Sequence, residues 1–326
     1  MKILANTLFF LIMTSCAHKQ SKVIVAHRGA PGYLPEHTLE GFTLAHSWDI
    51  DFLEPDLVVT KDNKLVVLHD IHLDTNTDVA IVYPKRSRKD GRYYVVDFKL
   101  SELKKLSVSE RINIRTKKQV YPKRFIHGKS HFQIPTLIEF IELVQGLNRT
   151  RNKEVGIIPE IKSPEFHLKN GKDITKLTVE VLRHYGYDKT GSNIYIQSFY
   201  PPTLKRLRDE FKLKIPLLFL IAENEWGESS IDYNIYKTEN GIKSISMIAD
   251  AVGPYAGSLL DGNKSDIVEL AHKYNMKVFP YTHRVDELPK QFSSSKEFLN
   301  YMFNDLKADG IFSDFADQAK KEVANL

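Results

Sequence analysis

The chain has 326 residues, of which 42% are hydrophobic, and a formal net charge of +5. This length and apolar content suffice to bury a large core, as one large domain or two small ones. The charge is modest for the size, so composition gives no indication of a nucleic-acid-binding surface. Cys16 is the only cysteine, which excludes a disulfide framework.

The N-terminal segment has the layout of an export signal. Lys2 precedes an apolar run at residues 3–13, and small residues follow it up to Cys16. The run is too short for a transmembrane helix, so residues 1–15 are predicted to be a secretory signal. Cys16 lies where a bacterial lipoprotein carries its lipidated cysteine, although Met13 replaces the usual leucine.

These features predict an exported protein of the periplasm or cell envelope, attached to the membrane by a lipid anchor only. The alternative is that Cys16 is a chance cysteine within a cleaved signal. A short polar linker at residues 16–22 follows, and strands then alternate with helices along the chain.

The predicted elements follow from apolar periodicity. Apolar, β-branched runs predict strands at residues 23–26, 52–60, 65–68, 155–161, 193–197, 217–221, 249–252, 277–281 and 310–312. Apolar residues at helical spacing predict helices at residues 37–47, 135–144, 174–184, 201–211, 265–274 and 296–306, with a last helix after Asp314.

About eight strands that alternate with helices over roughly 300 residues predict a (β/α)8 (TIM) barrel. A single domain at residues 23–326 accommodates this pattern. A doubly wound α/β sheet is the rival, but no glycine-rich nucleotide-binding loop follows the first strand.

Residues 71–134 interrupt the alternation as a polar insertion. They contain the basic run at 85–89, several tyrosines and a single short predicted helix at 101–106. Basic, tyrosine-rich segments can bind nucleic acid, but a solvated, ordered insertion is the favoured interpretation. On a barrel it would lie over the carboxyl-terminal face, where its charge would help to draw in anionic substrates.

Acidic residues recur with a spacing of two on predicted strands. Glu54 and Asp56 form one pair, and Glu160 is followed two residues later by Lys162. Residues two apart on a strand point the same way, so the three acids can converge at the mouth of a barrel. Three carboxylates without a cysteine indicate a hard-cation site for calcium or magnesium. Lys162 would then bind phosphate as a point charge; the alternative is ordinary salt-bridged clusters.

Two histidines also follow apolar strands. His27 comes directly before Arg28, and His69 comes directly before Asp70. Phosphodiester cleavage needs one group that accepts a proton and another that donates one, and imidazole does both near neutral pH. Arg28 can grip phosphate oxygens bidentately. A lone histidine of this kind is more often structural, but two such histidines beside charged groups favour a catalytic site.

The order of these motifs resembles the signature of the glycerophosphodiester phosphodiesterases, over essentially the whole chain after the signal segment. The insertion is similar to that of the exported bacterial branch of the family. The resemblance rests on His27-Arg28, Glu54-x-Asp56 and His69-Asp70, with Pro35-Glu36-His37-Thr38, Pro159-Glu160-Ile161-Lys162, Gln197-Ser198-Phe199 and Asp309-Gly310-Ile311-Phe312-Ser313-Asp314.

The resemblance implies a barrel of the phosphatidylinositol-phospholipase-C-like type. It implies hydrolysis of small glycerophosphodiesters to sn-glycerol 3-phosphate and an alcohol, with a divalent cation, usually calcium, on Glu54, Asp56 and Glu160. His27 and His69 would be the acid–base pair, without an assignment of which is the base. The glycerol 2-hydroxyl would attack first, and water would then open the resulting cyclic phosphate.

Two aromatic residues at later strand ends, Phe199 and Tyr281, are candidates to line the glycerol and headgroup side of the site, with core packing as the alternative. Two other functions remain open. One is a phospholipase on intact lipids, such as a sphingomyelinase D, which would need an exposed apolar rim. The other is a surface lipoprotein that binds a partner without catalysis. The sequence leaves the headgroup and the oligomeric state undetermined.

Overall fold

The computed structural model describes residues 22–260 and 266–326, and it confirms the (β/α)8 barrel. Residues 1–21, with the predicted signal and Cys16, lie outside the described residues. The strands are β1 (Val23–His27), β2 (Phe52–Glu54), β3 (Asp56–Val59), β4 (Leu65–Val67), β5 (Gly156–Ile157), β6 (Glu160–Ile161), β7 (Ile196–Ser198), β8 (Leu217–Ile221), β9 (Ala251–Pro254), β10 (Lys277–Val278) and β11 (Gly310–Ser313).

Two prolines explain why eight barrel strands appear as ten segments. Pro55 separates β2 from β3, and Pro159 separates β5 from β6, because proline has no N–H for the strand ladder. Parallel pairing runs β11-β1-β2-β5 on one side and β10-β9-β8-β7-β6-β3 on the other.

Backbone hydrogen bonds join these two sheets into a closed barrel. At one seam the Glu160 N–H donates to the Pro55 carbonyl over 2.8 Å. At the other seam the Asp309 N–H donates to the Val278 carbonyl over 2.9 Å, and Phe312 N–H donates to Pro280 over 3.0 Å. Closure leaves no free edge, and it brings the carboxyl ends of all eight strands to one face.

Helices cover the outside of this barrel. The longest helix of the described residues, α4 (Leu137–Arg151), begins with a capping box in which Thr136 and Glu139 satisfy each other's backbone N–H groups. No helix of residues 22–260 and 266–326 combines the length and apolarity that a bilayer crossing requires. The helices are α1 (Leu39–Ser47), α2 (Val79–Val82), α3 (Leu100–Leu103), α4 (Leu137–Arg151), α5 (Pro164–Lys169), α6 (Ile174–His184), α7 (Pro201–Asp209), α8 (Glu239–Ile245), α9 (Ile267–Lys273), α10 (Ser295–Asn300) and α11 (Ala316–Val323).

The strand β4 is an addition to the barrel and not one of its members. It pairs antiparallel with β3, and Val59 lies opposite Leu65. The chain therefore leaves the barrel along β3, turns, and comes back toward the start of β3. At that level the Leu68 N–H donates to the Asp56 carbonyl over 3.0 Å. This hairpin returns His69 to the level of the predicted cation site.

The segment at residues 71–134 has a small apolar core of its own. Leu73, Val95, Phe98 and Leu106 are fully buried there, against the outer side of β3 and β4. Helices α2 and α3 are its only α-helices within the described residues, so it contains more helix than the single short one that the sequence predicts. Its ordering follows from this apolar cluster.

Candidate active site

A pocket opens at the carboxyl ends of the barrel strands. It has a charged side and an aromatic side, and the residues of both come from strand ends or from the loops that follow them. Its lining comprises His27, Arg28, Glu54, His69, Glu160, Gln197, Phe199, Leu220, Trp226, Glu228, Tyr255, Tyr281, Thr282, Arg284 and Phe312.

The three predicted cation ligands converge. Strand register places His27 beside Glu54 and Asp56 beside Glu160. One carboxylate oxygen from each of Glu54, Asp56 and Glu160 lies within 4.8 Å of the others, and all three side chains are buried. Such a set of oxygen donors suits a hard divalent cation. The acidic triad can therefore bind a metal ion.

Neighbouring groups hold Glu54 and Asp56 in place. Gln197 Nε2 donates to Glu54 Oε1 over 2.9 Å, and the Arg28 backbone N–H donates to Glu54 Oε2 over 2.8 Å. His37 Nε2 lies 2.8 Å from Asp56 Oδ2. The other oxygen of Asp56, Oδ1, is buried and has no hydrogen-bond partner among the described residues. A buried carboxylate oxygen without a donor is the group that a bound cation would satisfy.

The charges of this triad are strongly perturbed. Burial, and then repulsion from Asp56, raises the pKa of Glu54 well above its ordinary value. Burial raises the pKa of Glu160 in the same way. Burial also raises the pKa of Asp56, but His69, the hydrogen bond with His37 and the charge of Arg28 together outweigh it and hold that pKa well below its ordinary value. A cation would oppose these raised pKa values and favour the ionised form of the two glutamates.

Arg28 takes an unusual backbone conformation beside the triad. Its φ of 55° lies in the left-handed region, and Gly29 follows with a φ of 89°. This turn aims the Arg28 N–H at Glu54, while its guanidinium Nε lies 3.3 Å from Asp56 Oδ2. A Cβ on Gly29 would approach the backbone of Gly41 to 3.1 Å, so glycine fits this turn best. The turn thus fixes Arg28 at the charged side of the pocket.

His27 forms a dyad with an acid from the last strand. Its Nδ1 lies 2.6 Å from Asp314 Oδ1, and both residues are buried. A carboxylate only accepts, so Nδ1 carries the proton and Nε2 is the free basic nitrogen. Burial, and then the charge of Arg28, lowers the pKa of His27 to about 4, although Asp314 opposes this shift. His27 is therefore neutral at pH 7.

His69 has the same arrangement on the opposite wall. Its Nδ1 lies 2.5 Å from Asp70 Oδ1, and its Nε2 lies 3.3 Å from Lys162 Nζ. An ammonium group has no lone pair, so His69 Nε2 is the acceptor and the ring is neutral. Burial, followed by the charges of Arg28 and Lys162, lowers the pKa of His69. Both predicted histidines thus present Nε2 beside the acidic triad.

Lys162 lies behind the lining of the pocket. Its ammonium group is 2.9 Å from Glu160 Oε1 and 3.2 Å from Glu228 Oε2. Burial opposes its charge, but Glu160 and Glu228 raise the pKa of Lys162 above its ordinary value. It also lies 5.0 Å from the centre of the Phe199 ring. Lys162 is therefore a permanent positive charge that two acids share.

The two predicted aromatic residues line the other side. The rings of Phe199 and Tyr281 meet edge to face at 5.8 Å. Tyr281 Oη donates to the Ile221 carbonyl over 3.0 Å, which fixes its ring. The structure thus brings nine of the sequence-predicted site residues to one place, and Cys16 lies outside the described residues.

Several site residues were not predicted as such. Asp314 is an acid at a strand end, the signal that identified Glu54, and could have been found in that way. Trp226 and Glu228 come from a loop in which the sequence shows no periodic pattern. Arg111 and Arg124 come from the insertion, where charged residues are too common to single them out.

The insertion reaches the site through these two arginines. Arg111 Nη1 lies 2.7 Å from Asp70 Oδ2, and the same guanidinium binds Glu36. Arg124 Nη2 donates to Asp314 Oδ2 over 2.8 Å. Each carboxylate that binds a site histidine is therefore held in turn by an arginine of the insertion.

Comparison with known proteins agrees with this geometry. A model of the glycerophosphoryl diester phosphodiesterase family matches residues 27–318. The Haemophilus influenzae protein named glycerophosphodiester phosphodiesterase is 43% identical over 331 aligned residues, which cover 94% of this chain and 90% of the relative.

Solved structures share the fold. A crystal structure from Silicibacter pomeroyi has a TM-score of 0.71 at 21% identity, covering 94% of this chain and 95% of the other. An Oleispira antarctica phosphodiesterase was solved in complex with the product sn-glycerol-3-phosphate. It has a TM-score of 0.62 at 20% identity, and the match covers 93% of this chain and 96% of that phosphodiesterase. With the family match, the fold and the converged site, the chain belongs to the glycerophosphoryl diester phosphodiesterase family of phosphoric diester hydrolases.

Proposed function

We propose that this enzyme hydrolyses glycerophosphodiesters to sn-glycerol 3-phosphate and an alcohol, with His27 and His69 as acid and base and calcium on the acidic triad. One observation carries the proposal: two neutral histidines, each held through Nδ1 by a carboxylate, flank three buried carboxylates in one pocket. The product bound by the Oleispira antarctica relative supports the glycerol side of the substrate.

The acidic triad would hold the cation through Glu54, Asp56 and Glu160. Calcium accepts several carboxylate oxygens in flexible geometry, and the oxygen-only donor set favours calcium or magnesium over zinc. When bound there, the cation would lower the pKa of the attacking hydroxyl and offset charge on the phosphoryl oxygens. Arg28 would bind those oxygens through its guanidinium, and Lys162 would add a second positive charge.

The proton transfers can be assigned to the histidine pair. In the first step, one histidine takes the proton of the glycerol 2-hydroxyl through Nε2, the oxygen attacks phosphorus, and the other histidine protonates the departing alkoxide. In the second step the roles reverse, because water loses a proton and the 2-hydroxyl regains one as the cyclic phosphate opens. The first step needs one histidine protonated, and the phosphate charge of the bound substrate would favour that form.

An imidazole that must present Nε2 needs the other nitrogen fixed. Asp314 holds His27, and Asp70 holds His69, each through Nδ1. The arginines of the insertion hold the two acids in position. This arrangement sets the tautomer of both rings before the substrate binds, as in other carboxylate–histidine pairs.

Removal of the cation tests the acidic triad. Release of sn-glycerol 3-phosphate from glycerophosphocholine should cease after exhaustive chelation and return on addition of calcium. Because a ligand of the folded state stabilises it, calcium should also raise the unfolding temperature of the wild type but not of Asp56→Asn. Full activity in the metal-free protein would contradict the proposal.

Alanine substitution tests the histidine pair. His27→Ala and His69→Ala should each lower kcat by about 10²–10⁴-fold, because each removes one proton transfer. His184, an exposed histidine on α6, provides the control, and His184→Ala should leave kcat unchanged. Circular dichroism spectra would verify that all three variants fold. An unaltered kcat in either site variant would show that the assignment is wrong.

The pH profile tests the His27–Asp314 dyad. Lowered histidine pKa values keep the base neutral in weak acid, so the acid limb of kcat/KM should lie below the ordinary pKa of about 6.5. Asp314→Asn should reduce kcat by about 100-fold or more, because the tautomer is no longer held.

Asp286 provides the matched control for Asp314→Asn. It is the other acid on Arg124, at 2.8 Å from its Nε, and Asp286→Asn should change kcat by less than about threefold. Equal losses in the two variants would mean that Asp314 acts only through the structure of the loop.

We also propose that the enzyme is exported to the periplasm or cell envelope and anchored through Cys16. The lysine, apolar run and small residues before Cys16 support this. Metabolic labelling with radioactive palmitate should mark the protein in a bacterial host, and Cys16→Ser should abolish the label. If the wild type were exported but carried no label, the proposed lipid anchor at Cys16 would be wrong, whereas the proposed export would stand.

A further inference from the structure

The aromatic side of the pocket contains residues to which the proposed mechanism assigns no role. Trp226, Tyr255, Tyr281 and Glu228 lie together at this side, and none of them holds the cation or a catalytic histidine. We propose that they bind an organic ammonium group of the choline type on the leaving alcohol. This inference rests on the proposed function, because it assigns a headgroup to the same pocket.

The three rings form one continuous wall. The Trp226 and Tyr255 rings meet at 4.7 Å between centroids and are inclined by 71°. Tyr281 lies 6.2 Å from Tyr255 and 6.5 Å from Trp226. Trp226 is 45% exposed, so the wall reaches from the pocket to the solvent. Aromatic faces attract cations through their quadrupole, and quaternary ammonium groups bind to walls of this composition.

Glu228 adds negative charge at the foot of the wall. The ammonium of Lys162 lies 2.9 Å from Glu160 and 3.2 Å from Glu228, so one positive charge serves two carboxylates. Burial opposes the charge of Glu228, but Lys162 outweighs it and holds the pKa of Glu228 below its ordinary value, so an ionised carboxylate lies at this side of the pocket. Burial raises the pKa of the Tyr281 phenol well above its ordinary value, and the charge of Glu228 adds to this shift.

The positive residues of the pocket are held away from this wall by their own partners. Arg28 binds Glu36 and Asp56, and Arg284 Nε donates to Asp314 Oδ2 over 2.9 Å. The pocket thus has the cationic groups of Arg28 and Arg284 on the side of the histidines and the Glu228 carboxylate on the side of the aromatic wall. A diester with an anionic phosphate and a cationic headgroup matches both ends.

The loop that carries Trp226 and Glu228 is pinned to the barrel. Tyr233 is buried, and its Oη lies 3.1 Å from the Phe199 carbonyl and 2.8 Å from Ser229 Oγ. The Tyr233 N–H also donates to Asn224 Oδ1 over 2.7 Å. These bonds tie one end of the segment at residues 224–233 to the barrel and join its two ends to each other, so the wall exists before the substrate binds. Pre-organised groups lose less entropy on binding.

Substrate selectivity tests this inference. The kcat/KM for glycerophosphocholine would be compared with that for glycerophosphoglycerol, whose headgroup is neutral. Trp226→Ala should lower the ratio of the two values by about tenfold, mainly through KM, and Trp226→Phe should recover part of it. Glu228→Gln should lower the ratio as well, and it should weaken selection of glycerophosphoethanolamine over glycerophosphoglycerol, because that headgroup is also a cation.

Ile235 provides the control. It lies on the same segment, is 55% exposed and does not line the pocket, so Ile235→Ala should leave the ratio unchanged. The headgroup site would be overturned if the ratio were unchanged in both Trp226→Ala and Glu228→Gln. It would also be overturned if these variants lost kcat/KM equally on the two substrates. If the wild type cleaved neither glycerophosphocholine nor glycerophosphoglycerol, the proposed function itself would be overturned.

Discussion

Mutual repulsion of Glu54, Asp56 and Glu160 is the constraint on which the rest of this structure depends. Three buried carboxylates with oxygens within 4.8 Å of one another are unfavourable without positive charge between or beside them. The protein supplies part of that charge through Arg28 and Lys162, which contact Asp56 and Glu160. The raised pKa values of the two glutamates show that this compensation is incomplete. The remaining deficit is one that a bound cation could offset.

Elements outside the regular barrel are organised around that site. The hairpin of β3 and β4 brings His69 back to the level of Asp56. The insertion packs its own apolar cluster against the hairpin. Two of its arginines, Arg111 and Arg124, reach the site and bind Asp70 and Asp314. Each arginine orders a carboxylate that in turn orders a site histidine. The polar insertion therefore positions the two site histidines through the acids that bind them.

The sequence allowed prediction of the parts of the site that follow from strand periodicity. Glu54, Asp56 and Glu160 could be predicted because parallel strands bring their carboxyl ends to one face. The direction of β4 could not be predicted, since an apolar run of four residues does not reveal its partner. The contact between Arg124 and Asp314 spans 190 residues and depends on tertiary folding. Glu228 lies in a loop without periodicity, where only the folded chain places it beside Lys162.

A crystal structure of the calcium-loaded enzyme with sn-glycerol 3-phosphate would test the proposed cation site and its position beside the two histidines. We predict one calcium ion that is coordinated by Glu54, Asp56 and Glu160 together. We also predict that the phosphate contacts Arg28 and lies between the Nε2 atoms of His27 and His69. Calcium bound away from these carboxylates, or a phosphate beyond reach of both histidines, would contradict the account.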